Sequence, residues 1–243
     1  MEHLIDAHCH YNRDAFSAYT GNCEFICNAT TEDDWRPIMS AAAMDSRIHP
    51  AIGLHPWYWE HAMAGWADRM RQILVENPHL MVGEIGLDNA RLDIRVQAKV
   101  FRAQYMMASE LGRTVHVHCV HAWNLLQKIC STIPLPPAIV VHRFTASQEF
   151  LVALRKRFDN RIYYSFRDIN NERMNKLMQA VPASRLLVES DDFAPRPDKI
   201  MALLSQIAYA RGCSISQISE IIYNNTLRVI SNGQIKENQD VIG

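Results

Sequence analysis

No run of this sequence is apolar for the ~18 residues that a membrane-spanning helix needs. The first residues are polar from Glu2 onward and lack the apolar centre of a secretion signal. These absences set the expectation of a cytoplasmic protein with no membrane partner. Neither sign of charge dominates: 25 Lys and Arg stand against 26 Asp and Glu, for a net charge of -1. The global basic footprint of a nucleic-acid binder is therefore missing. A local one is not excluded, because bound divalent cations supply a positive field of their own. Cysteine pairs at metal-site spacing are missing too. The six cysteines, Cys9, Cys23, Cys27, Cys119, Cys130 and Cys213, include no Cys-x-x-Cys. They read as buried reduced thiols, since disulfides are unusual in a cytoplasmic chain. There is no linker, internal repeat or low-complexity segment. The Pro-rich stretch at 131–138 is short and falls between an expected helix and an expected strand.

What is present suits one α/β barrel. The chain has 243 residues, 48% of them hydrophobic, and such barrels run to about 250 residues. The expected organisation is a single domain over 1–243. Eight short, near-continuously apolar runs read as buried parallel strands, at 3–8, 24–29, 49–53, 80–85, 114–119, 138–142, 161–166 and 185–190. Helical patterns at 32–44, 66–76, 95–111, 123–130, 147–157 and 172–180 separate most of them, and two more helices follow at 198–211 and 216–230. Ser216-x-x-Ser219-Glu220 is the expected cap of the last. Alternating strands and helices give parallel pairing and a (β/α)8 TIM-like barrel.

Five of these strands end on potential metal ligands: His8 and His10, Glu84, His118, His142 and Asp191. Ligands at the ends of several buried strands place a site at the C-terminal face of a barrel. Imidazoles mixed with carboxylates suit a pair of divalent cations, with Zn, Mn, Mg and Co all admissible. Parity agrees, because residues two apart on a strand share a face. His8 with His10, His116 with His118, and Glu189 with Asp191 are such pairs.

A hydrolytic site must make a nucleophile from water and stabilise developing negative charge. Two cations about 3.5–4 Å apart do both, provided a carboxylate holds them together. Glu84 is the best bridge, set between glycines in Gly83-Glu84-Ile85-Gly86-Leu87-Asp88. Asp191 is the best candidate both to ligate and to take a proton from the attacking water. Glu189, deeper on the same strand, is expected to orient a ligand. His116 reads as a hydrogen-bonded core histidine, Asp6 as a local hydrogen-bonding group and Asp88 as a turn residue.

These residues resemble the TatD family of metal-dependent hydrolases, within the amidohydrolase-like barrels. The resemblance runs along nearly the whole chain. It rests on Asp6-Ala7-His8-Cys9-His10, Gly53-Leu54-His55-Pro56-Trp57, the Glu84 motif, Val117-His118-Cys119, His142-Arg143-Phe144-Thr145-Ala146-Ser147 and Glu189-Ser190-Asp191, with Gln97, Asn225 and Arg228 in supporting places. It implies a (β/α) barrel with one or two divalent metals, one held by His8, His10, Glu84 and Asp191 and the other by Glu84, His118 and His142. It also implies that His55 lines the substrate site and that the activity is deoxyribonuclease-like, typically exonucleolytic. The chain departs from the pattern at Val120, where an Arg is usual and His121 follows, and at Ala146, where a Gly is usual. The Gly often found after the seventh strand is replaced near Phe166 and Arg167. In place of a long basic loop after the last strand, Phe193-Ala194-Pro195-Arg196-Pro197-Asp198 runs almost directly into a helix.

Three functions compete. A metal-dependent phosphodiesterase acting on DNA leads, with Arg143, Arg167 and Arg196 rimming the site to contact phosphates. A metallohydrolase of a small phosphoester, amide or lactone is the alternative, favoured by the short final loop and the near-neutral charge. A non-catalytic binding barrel comes third, and retention of every ligand argues against it. Trp57, Tyr58, Trp59 and Trp66 cluster after the third strand, as a cover for the barrel mouth, a partner patch or a base-stacking wall.

Overall fold

A computed structural model describes residues 3–91, 93–158 and 161–232. The two ends of the expected 1–243 domain, 1–2 and 233–243, lie outside the described residues. Among the described residues eight strands pair in sequence order, all parallel. They are β1 (Ile5–Cys9), β2 (Glu24–Asn28), β3 (Ile48–Ile52), β4 (Met81–Asp88), β5 (Val115–Val120), β6 (Ile139–Val141), β7 (Ile162–Phe166) and β8 (Leu186–Val188). The segment after β8 returns to β1: Asp191 N donates to His8 O at 3.0 Å and His10 N to Asp192 O at 2.9 Å. Asp6 Oδ1 accepts from Ser190 N at 3.0 Å across the same seam. The expected parallel barrel is therefore the observed one.

Every crossover contains a helix. In order these are α1 (Arg13–Ser17), α2 (Glu32–Met44), α3 (Trp66–Glu76), α4 (Ile94–Leu111), α5 (Trp123–Cys130), α6 (Gln148–Phe158) and α7 (Glu172–Ala180), with α8 (Pro197–Arg211) and α9 (Ile215–Ile230) after the last strand. Hydrophobic period located α2 to α9 to within about a residue at each end. It gave no sign of α1, whose five residues are too few for a periodic stripe. The cap expectation at Ser216 is corrected. The last helix starts from Ser214, whose Oγ accepts from Gln217 N at 3.2 Å while Gln217 Oε1 accepts from Ser214 N at 3.0 Å. Only Ser214 has a Gln three residues on to complete the reciprocal pair.

Two layers of core follow. The larger lies between strands and helices and includes Phe25, Ile52, Leu54, Phe101, Tyr105 and Phe166. A smaller cluster takes Ala7, Ile26, Ala51, Met81, Val140, Tyr163 and Leu187 from seven strands, so it fills the barrel's interior. Val229 of α9 closes that cluster from below. Thr114, at the foot of β5, fixes the floor: its Oγ1 donates to Val229 O at 2.9 Å and its N donates to Asn232 Oδ1 at 2.8 Å. Asn225 Nδ2 donates to Ala183 O at 2.8 Å and Leu186 O at 2.9 Å, anchoring the start of β8.

Alternation breaks on the two strands richest in chemistry. The β1–β2 register slips between Asp6 and Cys9, and the β4–β5 register slips between Val82 and Ile85. Each slip is a bulge, which lets neighbouring residues on one strand face the same side. Ala7 thereby joins the interior while His8 still reaches the mouth. Gly83 likewise packs inward beside Glu84, where any Cβ would meet Asn28 Oδ1 at 2.5 Å and His116 Cβ at 2.6 Å. A side chain at Gly86 would collide with the carbonyl of His118. The glycines flanking Glu84 thus serve the close packing expected of them.

Candidate metal centre

The carboxylate of Glu84, 2% exposed, stands in the middle of the barrel mouth. Its Oε2 lies 3.3 Å from His8 Nε2 and 3.7 Å from His10 Nε2. Its Oε1 lies 3.2 Å from His55 Nε2, 3.0 Å from His118 Nδ1 and 2.8 Å from His142 Nε2. Asp191 Oδ1 stands 3.4 Å from His10 Nε2, on the Oε2 side. The structure therefore brings all six expected ligands together, and sorts them about the two oxygens of one carboxylate.

Backbone hydrogen bonds from neighbouring strands aim these groups. Glu84 N donates to Ala29 O at 2.8 Å, His142 N to Val117 O at 3.1 Å and His55 N to Thr30 O at 2.9 Å. Two buried glutamines of α4 grip the loops from outside. Gln104 pairs with the N and O of Leu54 at 2.7 and 3.1 Å, and Gln97 with the N and O of Asp88 at 2.8 and 3.1 Å. Asp191 is left-handed, with φ 53°. That conformation costs an aspartate about 1 kcal/mol, met here by the tie to His8 O.

In His10 and His55 a hydrogen bond to the far nitrogen fixes the role of the near one, and in His142 and His118 the far nitrogen lies toward a carboxylate. His10 Nδ1 faces the carbonyl of Asn28 at 3.0 Å and donates to it, so Nε2 is the nitrogen turned toward Glu84 and Asp191. His142 Nδ1 faces Glu189 Oε1 at 3.5 Å, and His118 Nε2 faces Asp88 Oδ2 at 3.5 Å. His55 is reversed: its Nδ1 accepts from Trp57 N at 3.2 Å, so the proton sits on Nε2, aimed at Glu84. It is built as a donor into the site.

Electrostatics points the same way. Burial pushes the Glu84 carboxyl up, but His142, His55 and His8 together outweigh it and hold it well below the usual range. Asp191 behaves alike: burial raises it, and His10, His8 and His142 bring it below an ordinary aspartate. Burial keeps His8 and His55 below the usual imidazole value. Burial also opposes protonation of His10 and His142, yet Asp191 and Glu84 raise the first, and Glu84 and Glu189 raise the second. A cluster that draws protons onto buried imidazoles is one that calls for positive charge. Both nitrogens of His8 and Nε2 of His118 lack a hydrogen-bond partner. Ligating atoms of His8, His10 and Asp191 lie within 4.8 Å of one another, as do those of His55, Glu84 and His118 and those of His8, His142 and Glu189. The donor set fits hard to borderline divalent cations.

Other expected residues fall around this centre. Glu189 Oε1 accepts from Arg143 N at 2.8 Å, and Oε2 accepts from Ser165 Oγ, which holds the carboxylate behind His142. Arg143 Nη1 and Arg167 Nη1 reach Asp191 Oδ2 at 3.1 and 3.6 Å. Arg196 engages Asp198 at 2.7 Å and Asp192 at 3.5 Å instead. Asp6 accepts from His8 N at 3.2 Å, and burial pushes its carboxyl up to about 7. Asp88 is more than the turn residue expected. It accepts from Ala90 N at 2.9 Å, and its Oδ2 also takes Trp57 Nε1 at 2.6 Å beside His118. Its place at the strand end, four residues after Glu84, was the available signal. His116 is fully buried beneath the cluster, and burial keeps it neutral. Neither ring nitrogen has a hydrogen-bond partner, so it is a core histidine but not a hydrogen-bonded one.

An eight-stranded parallel barrel with histidines and carboxylates gathered at its strand ends is the arrangement of a metal-dependent hydrolase. The model of the TatD related DNase family matches residues 5–231, and the chain belongs to that family. A 3'-5' ssDNA/RNA exonuclease TatD of Pantoea ananatis is 27% identical over 199 residues, 73% of this chain and 75% of that one. An uncharacterized metal-dependent hydrolase of Methanocaldococcus jannaschii is 22% identical over 245 residues, 92% of this chain and 95% of its own. The crystal structure of the TatD homolog YJJV of Escherichia coli k12 superposes with a TM-score of 0.80 at 22% identity, covering 93% of this chain and 97% of that chain. No helix among the described residues is long and apolar enough to cross a membrane.

Proposed function

We propose that this protein hydrolyses phosphodiester bonds at an end of single-stranded nucleic acid, with DNA as the first expected substrate. One observation carries the reading: five imidazoles surround the two oxygens of Glu84 with Asp191 beside His10, and His10 is held from behind by the Asn28 carbonyl while carboxylates stand 3.5 Å behind His118 and His142. Such backing is what orients ligating histidines. His8, His10, Glu84 and Asp191 would hold one divalent ion, and Glu84, His118 and His142 the other. Bound there, the ions would polarise the phosphoryl oxygens and ease deprotonation of water.

The side chains supply the rest. Asp191, ionised and beside His10, accepts the proton of the attacking water. Glu189 holds His142 and the backbone of Arg143. His55, protonated on Nε2, donates to a non-bridging phosphate oxygen. Arg143 and Arg167 bring positive charge to the same edge and leave Asp191 for the phosphate when substrate enters. Arg196 would contribute only after release from Asp198 and Asp192. The substrate class draws support from the single-strand exonuclease names of the relatives. The cysteines are unbridged, five of the six buried as expected and Cys213 half-buried, which suits a reducing cytoplasm, where we place the enzyme.

The test is a panel of single-stranded DNA, duplex DNA, RNA and a small diester, each with the protein loaded in turn with Zn, Mn, Mg or Co. Single strands should be cleaved fastest, from an end. Hydrolysis of the small diester alone would transfer the assignment to a small phosphoester.

A further inference from the structure

Two aromatic side chains stand exposed on opposite flanks of Glu84. Phe193, in the short segment between β8 and α8, is 62% exposed. One face of its ring stacks on His10 at 4.9 Å and 28°, and the other is open. His10 faces Glu84 Oε2. Trp57, 43% exposed, stands against the imidazoles that face Oε1: 5.0 Å and 90° from His55, 6.0 Å and 76° from His118. Its Nε1 is fixed by Asp88 at 2.6 Å, and the Arg91 guanidinium lies 4.3 Å over the ring.

Resting on the nucleic-acid reading above, we propose that Phe193 and the Trp57–Arg91 pair form a two-sided stacking clamp. It seats the unpaired bases of a single strand while their phosphodiester lies at Glu84. Both rings are already oriented by contacts to the cluster, so little freedom is lost when a base arrives. Every nucleobase has a π face, and stacking on an aromatic or a guanidinium needs no particular sequence. A duplex interior cannot use such a clamp, because its bases stack on one another. The clamp also supplies grip where a long basic loop is missing. Arg196, the cation in the short segment, is already engaged by acids.

The experiment uses metal-loaded full-length protein and two oligodeoxynucleotides, one complete and one with abasic nucleotides at its ends. Phe193→Ala should raise KM for the complete strand about tenfold, the size of one stacked base, with kcat within about twofold. Phe193→Trp should restore KM and Phe193→Leu should not. On the abasic strand wild type and Phe193→Ala should show the same KM, above that of wild type on the complete strand. The Phe193 factor should persist as salt rises, since no counterion is released by stacking. Unchanged KM in Phe193→Ala, or an equal loss on the abasic strand, overturns the clamp and leaves the phosphodiesterase reading standing. If wild type cleaves no oligonucleotide, the substrate reading falls and the clamp with it. The comparison of complete and abasic strands in wild type needs no variant, and equal KM on the two strands would also overturn the clamp.

Discussion

The mouth and the floor of this barrel are both lined by buried polar groups, and the two ends use them in opposite ways. At the floor, the side chains of Thr114 and Asn225 are matched to partners that close the barrel. Thr114 donates twice, to Val229 O and Asn232 Oδ1, and Asn225 holds two carbonyls while accepting from Arg228 at 3.2 Å. At the mouth, five imidazoles crowd one carboxylate, and both ring nitrogens of buried His8 go without hydrogen bonds. Unpartnered buried polar groups cost about 1–3 kcal/mol each. The floor holds the fold together, whereas the mouth keeps donors in reserve for a ligand. Damage at the mouth should therefore cost activity and little stability, and damage at the floor the reverse.

The largest effect expected is from Glu84→Ala. Removing the one group shared by both halves of the cluster should abolish binding of both ions and lower turnover by about 10^4-fold, on the order of 5 kcal/mol. Elemental analysis after metal loading reads the first, and initial rates the second. A variant that still holds two ions per chain would show that Glu84 does not bridge.

Asp191→Asn comes next. The amide keeps an oxygen for a metal but cannot accept a proton, so kcat should fall by roughly 10^3-fold with much of the metal retained. Near wild-type turnover would remove Asp191 from the proton transfer.

At the floor, Asn225→Ala should do the opposite. It strips two carbonyls of their donor at a site 1% exposed, which should cost about 2 kcal/mol, or roughly 4–8 °C in Tm for a chain of this size. Metal content and kcat at 25 °C should match wild type. Loss of activity in the still-folded variant would break the division between the two ends.

The same contrast explains what could be read in advance. The six ligands were legible because each ends an apolar run, and a charged or imidazole side chain at the end of a buried strand has few other uses. Helices with a clear 3.6-residue stripe were equally legible. The bulges of β1 and β4 were not, since strict alternation gives no sign of a slipped register. Nor was the orientation of His55 toward Glu84: its tautomer is fixed by Trp57 N, a backbone group that no side-chain pattern reveals. Arg196 read as a phosphate contact because it follows a strand. Its fork onto Asp198, two residues on, depends on how the short segment turns.

A smaller effect is expected from the rim. Arg143→Ala with Arg167→Ala should weaken nucleic-acid binding about tenfold and flatten its salt dependence by about one unit of slope per arginine. Both currently lie against Asp191, so their loss also removes two cations from a group the chemistry needs ionised. An unchanged slope, measured by titration at several salt concentrations, would place phosphate recognition elsewhere on the mouth.

The smallest effect, and the finest test of the division, is Ser214→Ala. Ser214 begins α9, whose far end supplies Val229 to the floor, and it has no contact with the mouth. Losing its Oγ removes the acceptor for Gln217 N and half of the reciprocal pair, which should cost about 1 kcal/mol, or roughly 2–4 °C in Tm. Ser216→Ala, at the neighbouring exposed serine, should cost less than half of that, because alanine is the better helix former there. Equal losses at 214 and 216 would mean that the cap is not set by the Ser214–Gln217 pair. A change in kcat from either variant, with metal content intact, would show that α9 couples the floor to the mouth after all.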